Sequence, residues 1–151
     1  MRKKYEFVND FIEVNGRVLY RIKALVTFSN VRSGDLGGYI EHERNLSHRG
    51  ECWVGDDAKV YGKARVDENA RVYNNATVKG HVLVCGNARV YKNATVKGHA
   101  FVCEDAQVYE NATVKGHAEV FGDSKVFCNA IVGGHLKVCG FDEVRYRPTT
   151  R

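Results

Sequence analysis

Valine recurs at every sixth position from Val54 to Val144, sixteen times without a miss. Two positions before each valine stands a small residue in nearly every hexad, as in Ala58, Ala64, Ala70, Ala76, Ala88 and Ala94. Cys52, Val82, Ser124, Leu136 and Asp142 are the departures. Residues two apart on a strand face the same side. Each hexad therefore predicts a very short strand that sends one small and one β-branched side chain to an interior, after which the chain turns a corner. The corners are rich in Gly80, Gly98, Gly116, Asn75 and Asn93, residue types that tolerate tight turns and positive φ.

The hexads group in threes. Asn75-Ala76-Thr77-Val78-Lys79-Gly80-His81 returns as Asn93 to His99, as Asn111 to His117, and in altered form as Asn129 to His135, a period of eighteen residues. Three short strands per coil predict a triangular prism. With coils about 4.8 Å apart, the sixteen hexads give about five coils and a rod of about 25 Å. Alanine permits the narrow interior that three close walls demand.

The pairing of an aliphatic residue with a small residue four positions on, as in Val72 with Ala76 and Val90 with Ala94, resembles the hexapeptide repeat of left-handed parallel β-helix proteins. The resemblance covers about Glu51 to Arg145. It implies an all-β chain forming a single-stranded left-handed parallel β-helix. The left hand comes from the resemblance, since general chirality rules favour right-handed crossovers. That superfamily includes acyl-CoA-dependent acyltransferases, γ-class carbonic anhydrases and many small bacterial and prophage proteins of unknown role. This chain looks nearest to the last group.

Residues 1–50 read differently. Phe11 to Val14, then Asn15-Gly16, then Arg17 to Ile22 predict a β-hairpin with a tight turn, and Gly34 to Ile40 a turn into another strand. An open solenoid end exposes apolar interior and unpaired backbone, so residues 1–50 are expected to cap residues 51–145. Residues 146–151 form a tail. Asp142 in a small-residue column, followed by Tyr146-Arg147-Pro148, is the expected stop.

The chain has 151 residues, one proline and a formal charge of +5. This is one domain's worth of chain with no apparent linker. No apolar run approaches the roughly eighteen residues of a membrane span. The basic start at Arg2-Lys3-Lys4 is not followed by an apolar stretch, so a cytoplasmic location is expected. The five cysteines are odd in number and lack a CxxC pair, which points to reduced thiols and to no metal site. The mild positive charge permits an acidic protein or nucleic acid as partner.

Outward residues form ladders with the same period. One face carries Trp53, Arg71, Tyr73, Arg89, Tyr91, Tyr109, Lys125 and Phe127, a mixture of aromatic and basic groups suited to a protein or nucleic-acid partner. A second carries Thr77, Thr95 and Thr113 with Lys79, Lys97 and Lys115, the pattern of a solvated face. A third, with Leu83, Cys85, Phe101, Cys103, Phe121 and Cys139, is the least polar and asks for a cover. The N-terminal segment or another subunit would supply one, and a homo-oligomer, with a trimer as first guess, is expected.

His81, His99, His117 and His135 occupy the corner before that third face. The resemblance implies that one of them, His99 or His117, would be the general base of an acyl-CoA-dependent acyltransferase, with acetyl-CoA or another acyl-CoA as cofactor. The acyltransferases interrupt the helix with an extended loop, whereas the valine series has no interruption. The anhydrases place a second histidine close by, and no HxxxH or HxxxxH occurs here. Four copies of a histidine also suit a stacked corner residue better than a single base. The reading preferred from the sequence is a non-catalytic binding or scaffold protein without cofactor, of a kind that in a prophage would sequester a host factor.

Overall fold

The computed structural model describes residues 2–146. Arg147 and Pro148 lie outside the described residues. The chain is an all-β solenoid of parallel stacked coils. Sixteen two-residue strands, from Trp53–Val54 to Glu143–Val144, line three sheets. One sheet stacks Lys59–Val60, Thr77–Val78, Thr95–Val96, Thr113–Val114 and Ile131–Val132. Another runs from Trp53–Val54 through Arg71–Val72 and Arg89–Val90 to Glu143–Val144. The third runs from Arg65–Val66 through Leu83–Val84 and Phe101–Val102 to Lys137–Val138.

Pairing is parallel and in register, so valine sits over valine: Val72, Val90 and Val108 on one wall, Val78, Val96 and Val114 on the next. These valines and the alanines two places before them are shut off from solvent. Each interior position thus repeats a full burial of apolar surface, worth about 1.5–3 kcal/mol for a valine. Ser124, the polar exception inside, donates its hydroxyl to the Phe121 carbonyl at 2.7 Å.

Corners need a different solution, because the chain there leaves the ladder. Asp56, Glu68, Asn74, Lys92, Glu104, Glu110 and Cys128 all adopt positive φ. A side chain one coil earlier repeatedly accepts the corner amide. Asp56 Oδ2 takes the Asn74 N–H, Glu68 Oε1 takes Gly86, and Glu110 Oε1 takes Cys128, each at 2.9–3.0 Å. At the corner that carries the histidines, a Cβ on Gly98 (φ +75) would lie 2.9 Å from the Gly116 nitrogen. Glycine is required there for both space and conformation.

The solenoid reaches further upstream than the valine series. Strand β3 (Leu36–Ile40) pairs in parallel with Lys59–Val60, placing Ile40 over Val60, and Leu46 makes a parallel bridge to Val66. Ile40 and Leu46 are six apart and fully buried. They begin a coil that the sixteen hexads do not include, so the solenoid has about six turns rather than five. Gly38 takes the small position before Ile40, where a Cβ would meet the Ala58 carbonyl oxygen at 2.5 Å.

The expected hairpin is present and longer than its sequence signal. Strands β1 (Tyr5–Val14) and β2 (Arg17–Ala24) flank the turn Asn15 (φ 52) and Gly16 (φ 77). They join β3 as antiparallel neighbours and extend the Thr/Lys sheet. They do not fold over the Leu83/Phe101 face. Tyr5 is fully buried and donates its hydroxyl to the Leu46 carbonyl at 2.6 Å. Lys4, also buried, gives its ammonium to the Cys52 carbonyl at 2.7 Å. Burial holds the Lys4 amine below its usual range, against the raising influence of the Cys52 thiol.

Asn45 ties this first coil to the next. It is fully buried in a short 3-10 turn, Glu43–Asn45. Its Oδ1 accepts the N–H groups of Glu41 and His42 at 3.1 and 2.7 Å. Its amide donates to the Gly62 and Ala64 carbonyls at 3.2 and 2.8 Å. All four hydrogen-bonding sites of the side chain are used. Removing them orphans buried backbone groups, so Asn45→Ala is expected to cost about 3 kcal/mol. Urea unfolding should show it as a lowered midpoint at unchanged slope; a midpoint equal to that of the parent protein would contradict this account.

Candidate binding groove on the Tyr/Arg face

One face of the prism is not smooth. The segment 25–35 folds back in a tight turn, with Phe28 and Val31 exchanging backbone hydrogen bonds at 2.9 and 2.8 Å. Phe28 lands edge-on against the Trp53 indole, ring centres 5.4 Å apart. Asn30 Oδ1 accepts from Arg71 Nη1 at 2.9 Å. Between this turn and the Tyr/Arg ladder lies a groove of about 740 Å³, whose lining includes Trp53, Gly55, Arg71, Tyr73 and Arg89. Burial pushes the Arg71 guanidinium below its usual value. Glu51 opposes that shift and Arg89 adds to it. An arginine so placed remains a cation. Trp53, expected on the outside, is only 6% exposed, because Phe28 covers it.

The aromatic ladder has a geometry the sequence did not disclose. Tyr73, Tyr91, Tyr109 and Phe127 stack face to face at 5.0, 5.0 and 5.2 Å, their planes within 5° of parallel. The rings consume each other's faces and offer only edges outward. A base cannot slide between them, so the interior of the ladder is no row of stacking platforms. The far end is closed by the Arg145 guanidinium, 5.1 Å from the Phe127 ring centre. Tyr91 Oη donates to Gln107 Oε1 at 2.9 Å. Arg89 is exposed, while Lys125 is half-buried beside the ladder.

His81, His99, His117 and His135 form a second stack, at 4.7, 4.9 and 5.0 Å. All four are exposed. None has a side-chain hydrogen bond or a carboxylate partner among the described residues. His99 and His117 therefore lack the orienting group that usually fixes the tautomer of a general base.

On the third face, Leu83, Phe101, Cys103, Phe121 and Cys139 are half-buried, and Cys85 is 6% exposed. The structure joins Cys85 to Cys103 in a disulfide across neighbouring coils, which corrects the expectation of five reduced thiols and removes this pair from the list of free apolar contacts. In-register stacking explains it: residues eighteen apart lie one above the other, Cα atoms 4.7 Å apart, within disulfide range. Cys52, Cys128 and Cys139 are free. Glu68 approaches Cys85 and Cys103 with the spacing of a metal-ligand set, but with the two sulfurs bonded to each other the set offers no thiolates.

No protein-family model matches the chain. A stretch of 66 residues, 43% of the chain, is 33% identical to the uncharacterized acetyltransferase YdcK of Escherichia coli (strain K12). The match spans 20% of that protein, so the chain resembles about a fifth of its length. This partial likeness and the solenoid together fit the hexapeptide-repeat acyltransferase-like superfamily. Among the described residues no helix is long and apolar enough to cross a membrane.

The hexad and eighteen-residue periods do not disclose the groove. Its far wall, residues 25–35, carries no repeat. The one signal was Gly55, which precedes the run of Tyr73, Tyr91, Tyr109 and Phe127 in their column.

Burial raises the Tyr91 phenol above its usual value, with the neighbouring phenols of Tyr73 and Tyr109 adding to the effect. Burial raises Tyr109 too, with Glu110 next in size. A phenol whose folded pKa is raised contributes stability that is intact below the ordinary value of 10.0 and is lost as pH climbs through the folded value. The urea midpoint should therefore fall as pH rises past the ordinary phenol range. Tyr91→Phe with Tyr109→Phe should fall less steeply; parallel curves for parent and variant would refute the assignment.

Proposed function

We propose that this chain is a non-catalytic binding module that takes an anionic partner, a nucleic acid or a protein presenting acidic groups, on its Tyr/Arg face. The carrying observation is the groove between residues 25–35 and that face, with Arg71 braced by Asn30 and Arg89 one coil above it. A smooth prism offers little concavity, and ligand sites are concave. Here the cap supplies the missing wall. Arg71 is held in place before any partner arrives, which lowers the ordering cost of binding. A small prophage-type protein that sequesters a host factor is one biological setting for such a module.

The test is fluorescence anisotropy with a labelled single-stranded oligonucleotide and a labelled acidic peptide over a range of salt. One of them should bind, more weakly as salt rises. Replacing Arg71, Arg89 and Tyr91 together by Ala should weaken binding by about tenfold or more, and for the oligonucleotide should flatten the log–log salt slope by about 1.4, roughly 0.7 for each lost phosphate contact. Binding by neither probe, or equal binding by the triple variant, would end this reading.

A second reading, a trimeric acyltransferase using acetyl-CoA, is favoured by the partial likeness to an E. coli protein named as an acetyltransferase. On it, His99 or His117 would act as base in a cleft formed between subunits that meet at the Leu83/Phe101/Phe121/Cys139 face. Saturable binding of acetyl-CoA in calorimetry by a species of trimeric mass, with turnover lost in His99→Ala/His117→Ala, is its expected outcome. Absence of heat, or full turnover in the double variant, would exclude it.

A further inference from the structure

The column that holds Tyr73, Tyr91, Tyr109 and Phe127 begins one coil earlier, at Gly55. Gly55 sits on the register of the ladder, since its N–H donates to the Val72 carbonyl at 2.8 Å just as Tyr73 N–H donates to Val90 and Tyr91 N–H to Val108. The first rung is therefore empty of a side chain. Tyr91 covers one face of Tyr73. The other face looks into the position that a side chain on Gly55 would fill, and Gly55, Tyr73 and Trp53 all line the groove. A Cβ added to Gly55 would find Tyr73 Cβ at 3.6 Å and the Trp53 indole at 3.5 Å, ordinary contact distances, so the buried Gly55 position admits a side-chain atom between the two rings.

A second observation falls at the same spot. Trp53 is 6% exposed, yet its indole Nε1 has no acceptor among the described residues. Among the described residues no buried side-chain nitrogen or oxygen is left unpaired, so this N–H keeps access to solvent. It lies 3.8 Å from the Cβ position of the empty rung. A donor on a nearly buried ring thus borders a slot whose floor is the free face of Tyr73. Arg71 and Arg89 stand on the same groove, Asp35 and Asp56 line it as well, and Leu36, 57% exposed, is an apolar part of its lining.

We propose that the empty rung at Gly55 is a subsite for the base of a nucleoside phosphate. The base completes the ladder by stacking on Tyr73 and accepts a hydrogen bond from Trp53 Nε1. Its phosphate meets Arg71 and Arg89, and the carboxylates of Asp35 and Asp56 accept from sugar hydroxyls or an exocyclic amine. The chemistry calls for three things together: a flat π-face, an acceptor on the ring edge, and an anion a few ångströms away. A free nucleotide and the terminal nucleotide of a single strand both meet it. The subsite rests on the reading of the Tyr/Arg face as the recognition surface, and the experiment separates the two.

Trp53 is the single tryptophan of the chain, so its fluorescence reports the slot directly. Adenosine monophosphate, adenosine, inorganic phosphate and a short single-stranded oligoadenylate are titrated against the full chain. The expected result is a saturable change in Trp53 emission with adenosine monophosphate, weaker by about tenfold or more with adenosine or phosphate alone. Gly55→Tyr, which fills the rung with the chain's own ring, should abolish that change while leaving the far-ultraviolet spectrum intact. Should Gly55→Tyr fail to fold, Tyr73→Ala, which removes the stacking floor, decides in its place. Unchanged nucleotide affinity in the folded variant overturns the subsite, as does absence of any response from the parent protein. If the oligoadenylate binds parent and variant alike and adenosine monophosphate gives no response that Gly55→Tyr removes, the face is a recognition surface and the subsite is wrong. If adenosine monophosphate binds and the oligoadenylate does not, the subsite stands as a free-nucleotide site and strand binding by the face falls.

Discussion

Parallel, in-register hydrogen bonding between coils of one fixed length is the constraint from which the rest of this molecule follows. Along the walls, alternate backbone N–H groups find a carbonyl one coil on, as Arg89 N–H finds Ala106 and Tyr91 N–H finds Val108. Once the coil length is fixed at eighteen, every position must stack on its own kind. Inside, this favours valine on valine and mostly alanine on alanine, with Val82 and Leu136 as the larger residues that the alanine column takes in. At the corners it brings glycine over glycine, which is why the Gly98 and Gly116 backbones approach so closely. On the surface it makes ladders, whether or not the ladder has a use.

A ladder of identical residues is an inward-looking object. The stacked tyrosines satisfy each other's faces, and so do the stacked histidines. The Lys79, Lys97 and Lys115 column gains nothing from its own stacking, since like charges on adjacent strands repel, and marks a face held open to water. A uniform solenoid therefore carries little information for a ligand along its length. Information is concentrated where the period breaks. Three breaks meet at one end of the groove face: Gly55 in the aromatic column, Trp53 before Arg71 and Arg89, and the turn at residues 25–35 that lines the same groove.

The same logic explains what was legible in the sequence. Val54 to Val144 and the small residues beside them fix the coil, its period and its three faces, because interior positions have one chemical solution. The hairpin was legible from Asn15-Gly16, whose positive φ values suit a tight turn. The additional coil was not. Gly38 and Ile40 obey the small-then-aliphatic rule, but Leu46 lies eight residues from Val54, so the corner between them breaks the count. The bonds of Asn45 and Lys4 have no pattern at all: each is one polar side chain meeting backbone groups that only the folded coil brings together. The Cys85–Cys103 pair was written in the eighteen-residue spacing and masked by the odd cysteine count. The eighteen-residue spacing places Tyr73, Tyr91, Tyr109 and Phe127 in a row without saying that their rings close on one another, and it does not disclose that Phe28 packs against Trp53.

Concavity, more than side-chain identity, is what supports the binding reading. The histidine corner has the right residue type for acid–base work, yet its imidazoles are exposed and stacked on their copies. Of the four, His81 lines a small cleft, whose other side chains include Arg17, Arg44, Tyr61 and Lys63 and no carboxylate. The groove at Trp53, Arg71 and Tyr73 needs no second chain: the cap wall, the braced guanidinium and the open tyrosine face are all intramolecular. A recognition site requires fixed groups around an enclosed space before its ligand arrives. In this fold that requirement is met where the cap interrupts the repeat, because only an interruption can leave a stacking face unspent.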